Sequence, residues 1–159
     1  MVSCKTLNMS HENNEDVASV SGELTISYGN SGDLLVDAKS IIEQARQNAY
    51  RSINLAMLQR NWLLGKRISD EILNGEKRAE YGNEIIKRLS EALTGMYGKG
   101  FTKSYLYNFV RFYKAFPNIF QSPIGKSEIL SWTHYFLLLD IDDDAARNWY
   151  AHEAFVETW

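Results

Sequence analysis

Apolar residues recur at Ala38, Ile41, Ile42, Ala45, Ala49, Ile53 and Met57, and again at Leu64, Ile68 and Ile72. That spacing is helical. It predicts either one helix from about Leu34 to Leu73 or two helices meeting near Asn54 or Asn61. Ser31 or Asp33 can cap its start. Gly65 interrupts the run. A glycine inside a helix costs about 1 kcal/mol relative to alanine, so Gly65 is expected to mark the close approach of another element. Asn74-Gly75 suits the end of the segment, since both residues tolerate the left-handed conformation.

A second helical stripe, Ile85, Ile86, Leu89, Leu93 and Met96, predicts a helix over about Asn83 to Tyr97. Gly98-Lys99-Gly100 then forces a turn. Thr102 caps a third helix that runs to about Phe116, with Leu106, Phe109, Val110 and Tyr113 as its buried stripe. Pro117 closes it. Beyond a loop at 118–130, Ser131 can cap a helix from about Trp132 to Leu139. Asp142 or Asp143 can cap a last one carrying Ala146, Trp149, Tyr150 and Phe155. The fold class is therefore all-α over residues 33–159. A long leading helix is followed by a helix-turn-helix at about 83–116 and a C-terminal helical pair. Residues 1–32 are polar and read as a flexible tail. Within them Leu24, Ile26 and Tyr28 alternate as in a short strand, but no partner strand is evident.

Composition narrows the class. The 159 residues fit one domain. Cys4 is the one cysteine, which excludes a disulfide within the chain and fits a reducing, cytoplasmic setting. Residues 1–15 lack the apolar core of a secretory signal. The longest apolar run, Tyr135 to Leu139, is too short to span a bilayer. Net charge is −3, which alone argues against a general nucleic-acid binder. The distribution changes that picture. Between residues 85 and 116, Lys87, Arg88, Lys99, Lys103, Arg111 and Lys114 face a single carboxylate, Glu91. One short basic segment thus lies in an otherwise acidic chain.

Catalytic chemistry finds no foothold. His11, His134 and His152 have no histidine partner at metal-ligand spacing, and Val156 stands where a zincin helix needs its second histidine. Asp140, Asp142, Asp143 and Asp144 lack an EF-hand pattern and are explained by capping. There is no phosphate loop and no nucleophile elbow. No metal, cofactor or enzymatic activity is expected. What remains is the helix after the glycine turn. Lys103, Tyr107, Arg111 and Lys114 share one of its faces, flanked by Ser104 and Asn108 and opposite the core stripe. Lysine and arginine neutralise phosphates, tyrosine and serine hydrogen-bond them, and asparagine or arginine can read base edges. The same face would also suit plain solvation, or a protein partner.

Several segments resemble the N-terminal domain of the YhcG family. Ile42-Glu43-Gln44-Ala45-Arg46-Gln47-Asn48-Ala49-Tyr50-Arg51-Ser52-Ile53-Asn54 is similar to its opening. Asn61-Trp62-Leu63-Leu64-Gly65-Lys66-Arg67-Ile68 matches its Trp-x-x-Gly-Lys/Arg-x-Ile element, with Asn61 where the family usually has tyrosine. Tyr81-Gly82, Leu89-Ser90-x-x-Leu93, Gly100-Phe101-Thr102-x-x-x-Leu106 and Arg111-Phe112-Tyr113 follow in order. Ser131-Trp132-Thr133-His134-Tyr135 and Arg147-Asn148-Trp149-Tyr150 complete the series, which covers about 40–159. The resemblance implies a DNA-binding helix-turn-helix or winged-helix-like unit that precedes a PD-(D/E)xK nuclease domain. The nuclease domain itself is expected to be absent here. Trp62, Gly65, Ile68, Trp132 and Trp149 are expected to pack the core, and His134 to be a hydrogen-bonded structural residue. Lys99, Lys103, Ser104, Tyr107, Asn108, Arg111 and Lys114 are the candidate contacts to double-stranded DNA. The rival reading is an interaction module whose long helix pairs with another copy or with a full-length nuclease relative.

Overall fold

The computed structural model describes residues 16–20, 24–75, 79–120 and 129–157. In chain order the elements are β1 (Asp16–Val20), β2 (Leu24–Tyr28), α1 (Leu34–Asn74), α2 (Ala79–Tyr97), α3 (Lys103–Ala115), α4 (Trp132–Leu138) and α5 (Asp144–Val156). The fold is all-α apart from one short ribbon. The chain divides into two compact units, one up to Arg51 and one from Ser52.

In the first unit, β1 and β2 pair antiparallel, with Asp16 opposite Tyr28 and Val20 opposite Leu24. This differs from the tail expected for residues 1–32, of which residues 1–15 and 21–23 lie outside the described residues. The Leu24, Ile26, Tyr28 alternation finds its partner in Asp16–Val20, a stretch whose polar neighbours hide it. The helix supplies further hydrogen bonds to the ribbon. Gln44 Nε2 donates to Ser27 O at 2.7 Å, Ser27 N–H donates to Gln44 Oε1 at 3.2 Å, and Asn48 Nδ2 donates to Thr25 O at 3.3 Å. Asp33 caps α1 by accepting the Leu35 N–H at 3.0 Å.

α1 is one helix of 41 residues, so the two-helix alternative is not realised. In the second unit its buried side is Leu58, Asn61, Gly65 and Ile68. At Gly65 the backbone of α3 comes so close that an added Cβ would overlap the Phe109 carbonyl and stand 3.0 Å from Val110 N. The helix-weakening glycine thus permits the α1–α3 contact. Beside it Trp62 packs edge-on against Tyr113 and Phe120, and its Nε1–H donates to Phe116 O at 3.0 Å.

Two apolar clusters meet at α3. Ile68, Ile86, Leu106, Phe109 and Val110 form one. Leu58, Phe112, Leu130, Tyr135, Leu138, Leu139 and Ala154 form the other. Trp132 stands between them, its ring 5.7 Å from Phe109 and 5.3 Å from Phe112. α3 is therefore covered on two sides, and its buried arc is wider than one stripe. Phe112 is fully buried, whereas Tyr113, placed in the stripe from spacing, is half-buried. Ser131 caps α4, its Oγ accepting from His134 N–H and lying 2.6 Å from His134 Nδ1. Asp143 caps α5, accepting from Ala146 N–H at 2.7 Å.

Trp149 does not anchor the core. It is 56% exposed and stacks edge-on against Tyr150. The buried side of α5 is Arg147 and Ala154 instead. Arg147 is a charge that periodicity gives no reason to bury. Its guanidinium donates to Ile141 O at 3.1 and 2.7 Å and pairs with Asp144 at 2.6 Å, holding the turn between α4 and α5. Among the described residues no helix is long and apolar enough to cross a membrane.

Candidate nucleic-acid interface

α2 and α3 are joined by a short glycine turn. The turn works because Gly98 and Gly100 take φ of +79° and +113°, which a side chain would resist. Gly98 N–H donates to Thr94 O at 2.9 Å, ending α2. Ser90 Oγ–H donates to Phe101 O at 2.8 Å, fixing the exit from the turn against α2. Thr102 caps α3, with Tyr105 N–H donating to its Oγ1 at 3.4 Å. Leu106, Phe109 and Val110 bury the inner side of α3. Its outer side is thereby committed to solvent or to a ligand.

The seven candidate residues do not behave alike. Lys99 lies exposed in the turn, Lys103 and Ser104 lie exposed on the first turn of α3, and Lys114 lies exposed on its last. Lys103, Ser104 and Tyr107 come together along a cleft between α3 and α2, whose other wall is Glu80, Asn83, Glu84 and Lys87. Tyr107 bridges the walls, its hydroxyl donating to Asn83 Oδ1. Asn83 and Lys87 were not among the sequence candidates. Helical spacing along α2 put Lys87 off the apolar stripe but could not place it opposite α3.

Arg111 has a different task. It donates to the Leu139 backbone carbonyl and stands 3.7 Å from Asp140. It also donates to Asn108 Oδ1 at 3.3 Å, so Asn108 is oriented by Arg111. Arg111 therefore ties α3 to the end of α4. The Arg111→Ala variant is expected to lose about 1 kcal/mol of stability, since a part-buried charge-assisted hydrogen bond is removed. That corresponds to a melting temperature about 2–4 °C lower, readable by differential scanning calorimetry.

Charge sorts the surface further. Lys66 is committed to Asp70, whose hydrogen bond and charge raise its pKa above the usual lysine value. Arg67, Arg88 and Arg46 pair along their own helices with Glu71, Glu84 and Glu43. Among the described residues, Lys87, Lys99, Lys103 and Lys114 form no ion pair. Three of the four acidic-run carboxylates are engaged: Asp140 faces Arg111, Asp143 caps α5 and Asp144 pairs with Arg147. No group of three or more His, Cys, Asp and Glu is placed to hold a metal ion among the described residues. One Asp-x-Lys triplet, Asp37-Ala38-Lys39, does occur. It lies on the first turns of α1, where buried Asp37 accepts the Ser31 N–H at 3.2 Å.

The model of the DUF1016 N-terminal domain matches residues 37–159. The chain belongs to that family. A protein named "Putative nuclease YhcG" from Escherichia coli (strain K12) is 35% identical over 79 residues, which cover 50% of this chain and 21% of that relative. The chain thus matches about a fifth of its relative's length. No solved structure matches. The matched range takes in α2, the glycine turn and α3 whole, together with most of α1 and the helices that clamp α3 from behind.

Proposed function

We propose that the chain is a non-catalytic DNA-binding module of a YhcG-like nuclease system and contacts duplex DNA through α3. The observation that carries this reading is a group of exposed lysines without ion pairs gathered at the turn, α3 and the facing side of α2. Lys99, Lys103 and Lys114 are held by the turn and one rigid helix, with Lys87 across the cleft. In this reading they neutralise phosphates, and Ser104 and Tyr107 supply hydroxyl hydrogen bonds to the same backbone. α3 enters the major groove, where Asn108 offers a base-edge contact. Glu80 and Glu84 repel phosphate at the far end of the cleft, so the backbone follows the line from Lys99 to Lys114. Arg111 positions Asn108 and leads less directly to DNA. The relative's name supports a nucleic-acid context, and the nuclease step is assigned to a domain outside these residues.

The test is fluorescence anisotropy of the full chain against a labelled duplex across a salt series. Four phosphate contacts imply a loss of roughly 100-fold in affinity between 50 and 200 mM salt. Binding that ignores salt over that range, or no binding at 50 mM, sinks the proposal.

A further inference from the structure

Beside the glycine turn lies a cluster that the proposed duplex contact does not use, and it belongs wholly to the second unit. Tyr97, the last residue of α2, is 70% exposed. Its ring touches that of Phe101, with 5.9 Å between the centroids. Phe101 is itself fixed. It packs on the cluster of Ile68, Ile86 and Leu106, and its carbonyl accepts from Ser90 Oγ–H. From α1, the guanidinium of exposed Arg60 lies 5.5 Å from the centre of the same Phe101 ring. Arg60 Nε and Nη2 donate to Oδ1 of buried Asn61 at 3.0 and 2.9 Å, which leaves Nη1 without an acceptor among the described residues. Arg60 forms no ion pair among those residues either. Lys99, also exposed and without an ion pair, follows Tyr97 by two residues.

The cluster is thus an open aromatic face, held at one edge by Phe101 and accompanied by two uncommitted cations. Base–aromatic stacking, with cations along the backbone, is how proteins hold single-stranded nucleic acid. Inside a duplex each base face is covered by its neighbours, so a side-chain ring has no free face to stack on. An unpaired base beyond the end of a duplex has one. We infer that Tyr97 stacks on such a base and that Arg60 and Lys99 hold the adjoining phosphates. The inference rests on the DNA-binding reading and narrows its substrate class to duplex DNA that carries a single-stranded tail. Charge complementarity selects nucleic acid over a protein partner, since an aromatic peptide would stack on Tyr97 but bring no anion for Arg60 and Lys99. A tyrosine ring accepts any base, so the tail is recognised without regard to its sequence.

Fluorescence anisotropy of the full chain compares a blunt duplex with the same duplex extended by a short single-stranded tail, in either polarity. The tailed duplex is expected to bind about tenfold more tightly. A fluorescent adenine analogue at the first tail position should be quenched as it stacks. Tyr97→Ala should bring the ratio of the two affinities close to one and abolish the quenching. Tyr97→Phe, which keeps the ring, should preserve both. Arg60→Gln should lower the ratio and keep the quenching. Tyr97 and Arg60 are exposed, so helix content by circular dichroism should persist in all three variants. Equal affinity for blunt and tailed duplexes, or a preference that survives Tyr97→Ala, overturns this inference and leaves the duplex contact standing. Failure of both probes to bind at about 50 mM salt overturns the DNA reading itself, and this inference with it.

Discussion

Gly65→Ala is expected to destabilise the protein by about 2 kcal/mol or more, although alanine is the better helix former. The new methyl would overlap the Phe109 carbonyl of α3. A flexible side chain could move aside, but a backbone carbonyl inside a helix cannot move alone. Its own helical hydrogen bond and the buried Phe109 ring fix it between the two apolar clusters. Overpacking a tight core costs about 1–3 kcal/mol, and rigid neighbours put this site at or beyond the upper end. The helix-propensity gain of about 1 kcal/mol offsets only part of that. Urea denaturation of wild type and variant measures the difference. A variant as stable as wild type would mean that α1 and α3 do not meet at Gly65.

Lys99→Glu combined with Lys103→Glu is expected to weaken duplex DNA binding by at least about 100-fold at 100 mM salt, since two phosphate contacts become repulsions. The fold should be unaffected. Both side chains are exposed and form no ion pair, and such surface changes stay within about 0.5 kcal/mol. Glu at position 103 sits on the first turn of α3, where the helix dipole favours a negative charge. Loss of binding with an unchanged melting temperature therefore separates a contact role from a structural one. Lys39→Glu, on α1, serves as the control and should bind as wild type does. If it fails equally, net charge and not the α3 surface governs binding.

Much of the second unit was legible in the residues because local chemistry dictates it. Thr102, Ser131 and Asp143 announce three helix starts through their side-chain oxygens, and each accepts the expected backbone N–H. Gly65 announced a close approach, since a helix tolerates glycine there only for a reason of packing. The family resemblance set those elements in order. What stayed hidden depended on neighbours distant in sequence. Helical period shows which arc of α3 is apolar but not how many elements cover it, so it points to Tyr113 and not to Phe112. Arg111 reads as a free cation because its acceptor, the Leu139 carbonyl, is a backbone atom 28 residues away. Trp149 reads as an anchor because aromatics usually are, yet α5 buries Arg147 and Ala154. In the second unit the apolar positions of α1 divide between buried Leu58 and Ile68 and exposed Ile53 and Leu63. Only the structure separates them.

The proposed contact brings the turn and the outer face of α3 against DNA. Amide chemical shifts of the isotope-labelled full chain, followed as a short duplex is titrated in at low salt, locate that contact directly. The largest shifts are expected at Lys99, Lys103, Ser104, Tyr107 and Asn108, with α5 and α1 unchanged. Shifts confined to α1 or α5, or none at all at saturating duplex, would contradict it.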